Sequence, residues 1–309
     1  MKVFSIIILI FLTLLIVFLA AYLIVLRFMF YKCFGRQNNP EKRIEQKSKL
    51  LDMYKIDFCW WKKQKKDELI VVNNEGLKLH AFYLENNSKK TAIVVHGYRC
   101  DYREMSSYAK MFFNMGYNVL VTVNRGHGKS EGFIGMGYLD KNDILAWVNV
   151  MINKKTDTKI VLFGLSMGGT AVCMAAGEKL PNNVICIISD CAFENVYKQI
   201  AYVFNKKNSK FKLNLLNAFS KYIQKAYDFN LKEADAGLSL KNTTLPVMLI
   251  HGKEDNYVPI NSALRLEERL PIYKKSIYFV ESADHAMSYA VNQKKYEAKI
   301  REFLKKFGM

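Results

Sequence analysis

The segment Gly164-Leu165-Ser166-Met167-Gly168 has the residue types of a serine nucleophile held in a tight turn. It follows the apolar run 159–163 and precedes a helical pattern, which is the strand, turn and helix context that a G-x-S-x-G motif requires. Glycines suit such a turn because the serine adopts strained backbone angles, and side chains at 164 or 168 would collide with neighbouring backbone. The motif alone is a weak signal, since a glycine-rich turn after a strand often serves only packing.

An acid and a histidine follow Ser166 in the chain order nucleophile, acid, histidine, each after a predicted strand. Asp255 comes shortly after the strand 246–251, and His285 lies in a short polar turn after the strand 276–280. In this arrangement the histidine removes the serine proton and the carboxylate orients the histidine. The sequence therefore predicts a catalytic triad of Ser166, His285 and Asp255.

Other acids and histidines compete for these roles. Glu254 has the same chemistry as its neighbour Asp255, and Asp190 ends the predicted strand 184–189, so both remain open as alternative acids. The remaining histidines are interpreted as structural or as hydrogen-bonding neighbours of the site; they are His80, His96, His127 and His251. Of these, His96 and His127 occupy glycine turns, where a supporting hydrogen bond is a more common role than proton transfer.

Short β-branched runs alternate with amphipathic stretches from residue 68 onward, which predicts an α/β fold: a mostly parallel central sheet flanked by helices. The catalytic domain is expected to span 68–309. The region 193–243 has no convincing strand and is lysine-rich, aromatic and helical in pattern. We predict that it is an inserted helical cap over the crevice at the carboxyl ends of the strands. Strands are predicted at 68–72, 77–84, 91–96, 117–123, 159–164, 184–189, 246–251 and 276–280, and helices near 102–114, 141–152, 167–180 and 261–270.

Residues 1–27 are predicted to form a transmembrane anchor. The run from Val3 to Leu26 contains no charged residue and is long enough for a bilayer, which takes about 20 helical residues. A cleaved signal peptide has a shorter apolar region of roughly 7–15 residues followed by small residues. The length therefore favours an uncleaved, single-pass anchor in the cell membrane.

Positive charge follows this anchor directly. Residues 27–66 carry twelve Lys or Arg against four Asp or Glu, within a chain of net charge +18. We interpret 28–67 as a basic juxtamembrane linker, which either contacts anionic lipid headgroups or is simply solvated. The charges flanking the anchor favour a cytoplasmic catalytic domain, while export by a signal-anchor stays open. Nucleic acid is not an expected partner, because no binding motif and no basic stripe with interleaved aromatics is present.

The six cysteines form no C-x-x-C pair and no Cys/His cluster at zinc-ligand spacing. Most are predicted to be small buried apolar residues. Neither a structural metal nor a disulfide framework is expected.

Taken together, these motifs resemble the α/β-hydrolase superfamily, in particular the bacterial membrane-anchored branch similar to Bem46-like and ABHD-type serine hydrolases. The resemblance covers about residues 68–307. It implies an oxyanion hole formed by the backbone N–H groups of Tyr98 and Met167, and it implies no metal or organic cofactor. Many relatives have an acidic residue where this chain has Val123, so one local contact of the following turn is in doubt. The matching segments are Val95-His96-Gly97-Tyr98, Asn124-Arg125-Gly126-His127-Gly128-Lys129-Ser130, the Ser166 turn, the Asp255 segment and Ala283-Asp284-His285.

A serine at the turn argues against chemistries that use a carboxylate nucleophile. The first expectation is hydrolysis of acyl esters, as in esterases and lipases, because an anchor and an aromatic, basic cap suit amphiphilic substrates. Peptidase, amidase or thioesterase action remains open, and so does a catalytically silent module at the membrane. The expected partners are a small-molecule or lipid-like acyl substrate and the membrane itself.

Overall fold

The computed structural model describes residues 2–37, 52–205, 209–271 and 274–308. Its strands are β1 Asp67–Val72, β2 Lys78–Leu84, β3 Lys90–Val95, β4 Asn118–Val123, β5 Lys159–Leu165, β6 Val184–Asp190, β7 Val247–Gly252 and β8 Lys275–Val280. They form one eight-stranded sheet in the order β1-β2-β4-β3-β5-β6-β7-β8. Strand β2 runs antiparallel to β1 and β4, and every other neighbouring pair is parallel. The predicted α/β architecture with a mostly parallel sheet is confirmed.

Burial along the strands explains why the sequence reads as β-branched runs. All six residues of β4 and all six of β7 are buried, because helices cover both faces of a parallel sheet. Strand β1 lies at the sheet edge, and its residues alternate between exposed and half-buried positions. The central strands therefore give continuous apolar runs, whereas the edge strand does not.

The helices are α1 Lys2–Phe34, α2 Asp52–Lys63, α3 Ser106–Asn114, α4 Asp140–Lys154, α5 Met167–Ala175, α6 Val196–Phe204, α7 Lys210–Tyr227, α8 Ala236–Lys241, α9 Asn261–Arg269, α10 Ser288–Val291 and α11 Gln293–Lys306. One apolar cluster joins one face of the sheet to α4, α5 and the end of α1. A second cluster joins the other face to α2, α3 and α11. The sheet thus lies between two helical layers.

The region predicted as a cap, 193–243, contains α6, α7 and α8 and connects β6 to β7. Its inner side is well packed, because Leu216, Phe219 and Ile223 of α7 are fully buried. Residues 206–208 of this region lie outside the described residues. Residues of α6 and α7 lie beside α1.

Helix α1 is longer than the predicted anchor and ends at Phe34 rather than near residue 27. Among the described residues it is the one helix long and apolar enough to cross a membrane, a test that a signal sequence also passes. Its last turns pack on the catalytic domain: Leu26, Phe30 and Phe34 are buried, and the Phe30 ring stacks on Tyr227 at 3.8 Å between centroids. Part of the predicted linker is therefore helix in contact with the domain.

The second half of the predicted linker also has structure. Helix α2 packs against α3, and its Trp61 is buried beside Phe82 and Tyr102. Residues 38–51 of the predicted linker lie outside the described residues.

Candidate active site

Ser166 occupies the turn between β5 and α5 with φ 55° and ψ −117°, a conformation that side chains rarely adopt. The flanking glycines are required by close backbone contacts. A Cβ atom on Gly164 would lie 2.1 Å from the Gly168 carbonyl oxygen, and one on Gly168 would lie 2.2 Å from that of Val95. The backbone strain is sustained because Ser166 N–H donates to the Asp190 carbonyl at 2.8 Å and its own carbonyl accepts from Thr170 N–H at 2.9 Å.

The structure brings Ser166, His285 and Asp255 together in one hydrogen-bond chain. Ser166 Oγ lies 2.9 Å from His285 Nε2, and His285 Nδ1 lies 2.7 Å from Asp255 Oδ2. The other carboxylate oxygen, Oδ1, accepts from the N–H groups of Tyr257 at 2.9 Å and Val258 at 2.8 Å. Asp255 is therefore bound on both sides, and its side chain is fully buried. This geometry fixes the imidazole with Nε2 directed at the hydroxyl.

The two alternative acids do not contact His285. Asp190 accepts from Tyr296 Oη at 2.9 Å and from Ser288 Oγ at 3.2 Å. Burial raises the pKa of Asp190 to about 7, so this carboxyl favours its protonated form relative to an ordinary aspartate. Glu254 is exposed and lies beside Asp255 in the same loop. Of the three acids, only Asp255 is placed to orient the imidazole.

His96 and His127 support the turn that follows β3 and leads towards α3. His96 Nε2 accepts from Asn124 N–H at 3.0 Å, and His127 Nε2 accepts from Arg99 N–H at 3.0 Å. Burial, followed by the nearby His96, lowers the pKa of His127 to about 3, so the ring stays neutral and keeps its acceptor nitrogen. Both rings therefore act as hydrogen-bonding supports of the turn His96-Gly97-Tyr98-Arg99, as the sequence predicted.

That turn lies against the nucleophile. A Cβ atom on Gly97 would be 3.3 Å from Ser166 Cβ, and Tyr98 lines the same cavity as Ser166 and His285. Met167 follows Ser166 in the chain and is the first residue of α5. The first N–H groups of a helix have no partner within the helix and lie at the positive end of its dipole. Both predicted oxyanion residues are thus neighbours of Ser166, Met167 in the chain and Tyr98 in the cavity wall.

The end of α1 is capped by side chains of this same turn. Tyr98 Oη donates to the Cys33 carbonyl at 2.8 Å, and the Arg99 guanidinium donates to the Lys32 carbonyl at 2.7 Å. Burial raises the pKa of Tyr98 to about 12, so its hydroxyl remains a donor. The last carbonyls of a helix need such external donors, and a cation there also suits the helix dipole. No motif in the sequence predicts this contact.

Arg125 explains how the neighbouring glycine turn is held without an acidic residue at position 123. Its guanidinium is buried and binds Asp143 at 2.6 Å and Glu75 at 2.8 Å. The Val123 carbonyl accepts from Ser130 Oγ at 2.5 Å. Carboxylates from the β1–β2 turn and from α4 therefore neutralise the arginine, and a serine hydroxyl of the glycine turn binds the backbone at Val123.

The site cavity has a volume of about 260 Å³. Five of its residues were not predicted as site residues, although each lies within or at most two residues from a segment that carries the resemblance; they are Arg99, Cys100, Leu165, Tyr257 and Ala286. The Tyr257 ring lies 4.9 Å from the His285 ring and forms part of the wall. The lining residues are Tyr98, Arg99, Cys100, Leu165, Ser166, Tyr257, His285 and Ala286.

Cys191, Asp255 and His285 place possible ligand atoms within 4.8 Å of one another. A cysteine binds a metal ion as its thiolate. Burial raises the pKa of the Cys191 thiol well above its usual value and so disfavours the thiolate. The carboxylate and imidazole are already engaged with each other and with the Ser166 hydroxyl. The donor set therefore fits a hydrogen-bonded triad better than a metal centre.

Comparisons with known proteins agree with this fold. The Bacillus subtilis (strain 168) protein YqkD, itself uncharacterised, is 26% identical over 250 residues, 80% of this chain and 82% of YqkD. Among solved structures, the Pyrococcus furiosus esterase Pf2001 is similar with a TM-score of 0.65 at 22% identity, covering 79% of this chain and 92% of the esterase. Pyrococcus horikoshii acylaminoacyl peptidase has a TM-score of 0.56 at 18% identity, covering 79% of this chain but 42% of the peptidase.

The family model of the prolyl oligopeptidase family matches residues 103–308, two thirds of the chain. The match includes Ser166, Asp255 and His285 and every strand from β4 to β8. It supports a hydrolase, in agreement with the arrangement of these three side chains. The chain is therefore a member of the prolyl oligopeptidase family with an α/β-hydrolase fold.

Proposed function

We propose that this protein is a serine hydrolase that cleaves acyl esters at Ser166. The observation that carries the proposal is the hydrogen-bond chain from Ser166 Oγ through His285 to Asp255, with distances of 2.9 Å and 2.7 Å. The positive φ of Ser166 supports it, because strain of this kind is retained where it positions a reacting group.

In the proposed mechanism, His285 Nε2 takes the Ser166 proton as Oγ attacks the acyl carbonyl carbon. The tetrahedral intermediate collapses when His285 protonates the departing alcohol, which leaves an acyl-enzyme on Ser166. Water then attacks this ester with His285 again acting as the base, and the carboxylic acid is released as Ser166 regains its proton. Asp255 stabilises the imidazolium in both halves of the reaction.

The developing oxyanion would be bound by the backbone N–H groups of Tyr98 and Met167. Removing one such donor typically raises the barrier by about 3 to 4 kcal/mol. The close contact of Gly97 with Ser166 and the supports from His96 and His127 favour this role for the turn. All the required groups come from the chain itself, so the mechanism calls for no metal or organic cofactor.

Peptidase or amidase action is the second candidate, because the family match and the similarity to an acylaminoacyl peptidase favour it. Esters are placed first because none of the eight residues that line the cavity carries a carboxylate to bind a peptide amino group. Comparing a p-nitrophenyl ester with the p-nitroanilide of the same acyl group separates the two. A faster anilide reaction would reverse the order.

We also infer that α1 is a retained membrane anchor and that the catalytic domain is cytoplasmic. The most apolar stretch of α1 is not buried inside the protein, so its side chains can face lipid. Basic residues follow the apolar run closely, among them Arg27, Lys32 and Arg36, and the positive-inside rule associates such a flank with the cytoplasmic side. The membrane would then be a constant partner of the enzyme.

The first test is to label full-length wild type and Ser166→Ala in detergent with a fluorophosphonate probe, alongside turnover of p-nitrophenyl esters. We expect labelling to disappear in the variant and turnover to fall by at least about four orders of magnitude. The variant should keep the melting temperature of the wild type, since the hydroxyl serves only the site. A well-folded wild type that neither labels nor turns over would instead favour a silent membrane module.

A further inference from the structure

A second cavity, of about 460 Å³, adjoins the candidate active site. Tyr98 and Tyr257 line both cavities, so the two cavities share part of a wall. One wall is the end of α1 and the other is α6 of the cap region. We call this space the α1–α6 groove; its other principal lining residues are Phe28, Met29, Lys32, Ile200, Val203 and Phe204.

The surface of the α1–α6 groove is hydrocarbon for the most part. Gln199, one of its few polar lining residues, donates its Nε2 to the Tyr257 carbonyl at 2.8 Å, and the Lys32 ammonium lies over the Phe28 ring at 5.5 Å. None of the described residues that line the groove is acidic. An extended peptide would leave its backbone N–H and C=O groups without partners there, whereas a hydrocarbon chain loses nothing. Its volume also lies in the usual range for small-molecule sites.

A third cavity continues along α1 in the direction of the apolar run. It has about the same volume, 460 Å³, and lies between Phe18 to Val25 of α1 and the first half of α7. Phe211 at the start of α7 lines it and is 76% exposed. Helix α7 therefore runs beside the segment of α1 that we place in the membrane. The two cavities follow one another along one stripe of α1, because Phe18, Tyr22 and Val25 line this cavity and Met29 and Lys32, at the same helical spacing, line the α1–α6 groove.

We propose that the α1–α6 groove holds the acyl chain of a membrane lipid ester whose carbonyl lies at Ser166. The chain reaches the groove from the bilayer along the cavity between α1 and α7. This inference rests on the proposed ester hydrolysis and names its substrate class. Hydrolysis adds one water across the ester bond and gives a fatty acid and an alcohol. The hydrocarbon chain of the fatty acid lies in the groove until the product leaves.

The chemistry of the groove predicts a strong dependence on chain length. Each methylene removed from water favours binding by about fourfold. In detergent micelles, the wild-type protein should therefore have a higher kcat/KM for p-nitrophenyl palmitate than for p-nitrophenyl butyrate. Short esters fill the active-site cavity alone, whereas the long chain requires the groove.

Filling the groove tests this directly. Val203→Trp on α6 and Met29→Trp on α1 narrow it from opposite walls, and Val203 is 38% exposed, so the larger ring can be accommodated without disrupting the core. We expect each variant to lower the palmitate-to-butyrate ratio of kcat/KM by at least about tenfold. The matched control is Leu238→Trp on α8, an exposed position outside all three cavities, which should keep the wild-type ratio.

A second measurement uses the wild type alone and so does not depend on the folding of variants. A long-chain alkyl fluorophosphonate with a terminal diazirine is bound to Ser166 and irradiated, and the crosslinked peptides are identified by mass spectrometry. Crosslinks to α1 or α6 are expected. Crosslinks confined to other elements, or unchanged ratios in both groove variants that still label, would overturn the acyl groove. A wild type that fails to label would overturn the proposed function instead.

Discussion

The two carboxylate oxygens of Asp255 have separate tasks. Oδ1 accepts from two backbone N–H groups of its own loop, and Oδ2 faces His285 Nδ1. The loop is therefore held by one oxygen while the other is left to orient the imidazole. An amide at this position can keep the first task and lose the second.

Asp255→Asn is expected to lower kcat by about four orders of magnitude, because an amide N–H facing Nδ1 favours the tautomer with its proton on Nε2. Turnover of a short p-nitrophenyl ester measures the effect, and the melting temperature should stay near that of the wild type. Glu254→Gln is the matched control, since this neighbour is exposed and should retain activity. Equal losses in both variants would argue that the loop, rather than Asp255, matters.

Asp140 provides a pH test of the supporting network. Burial, followed by the nearby Asp143, raises its pKa from 3.8 to about 7, so the folded protein holds a proton that the unfolded chain releases above pH 4. Stability should then fall as pH rises from about 4 to about 7, by up to roughly 1.4 kcal/mol per pH unit.

We expect Asp140→Asn to remove this contribution to the pH dependence. Relative to wild type, the variant should gain in melting temperature between pH 4.5 and pH 7.5 in detergent. Asp157→Asn, an exposed acid whose pKa is lowered by Lys89, serves as the control and should show no such gain. A constant difference between Asp140→Asn and wild type across pH would refute the raised pKa.

At the scale of single elements, the last turns of α1 belong to the catalytic domain. Phe34 is fully buried, and its ring lies 5.7 Å from Phe229 and 6.2 Å from Phe219. Its carbonyl also accepts from Ile134 N–H at 2.9 Å. The end of α1 is therefore packed into the protein core beside the turn that bears Tyr98.

Phe34→Ala should destabilise the full-length protein by about 3 kcal/mol, because the emptied space is enclosed by other rings. For a domain of this size the melting temperature in detergent should fall by roughly 6 to 12 °C. Tyr31→Ala, on the exposed side of the same helix, is the control and should melt close to wild type. Equal melting of the two variants would show that this end of α1 is not packed.

The elements that could be predicted from sequence are those whose pattern has one physical cause. The strands could be predicted because burial on both faces of the sheet requires continuous β-branched runs. The turn at Ser166 could be predicted because only glycine fits the close backbone contacts at positions 164 and 168. The end of α1 was not predictable in the same way. Leu26, Phe30 and Phe34 form a buried stripe, but in a helix that is apolar all round a protein-facing stripe cannot be distinguished from a lipid-facing one.

For the whole molecule, the proposed topology can be tested with its own cysteines. All six are free thiols, and Cys59 on α2 is the exposed one. In intact cells a membrane-impermeant maleimide should leave Cys59 unlabelled until the cells are lysed, and Cys59→Ser should remove the lysate signal. The protein should also stay in the membrane pellet after alkaline carbonate extraction. Labelling of intact cells would place the domain outside, and extraction as a shorter chain would indicate cleavage.

Helix α1 contains neither glycine nor proline from Lys2 to Phe34, the residues at which sharp helix kinks usually occur. It therefore joins the proposed membrane segment to the wall of the site as one stiff rod instead of a flexible tether. Bilayers of different thickness make such a rod tilt or shift vertically, at a modest energetic cost. Because the rod ends at the turn that carries Tyr98, the proposed anchoring would make membrane thickness a variable that sets the position of the site relative to the proposed lipid substrate.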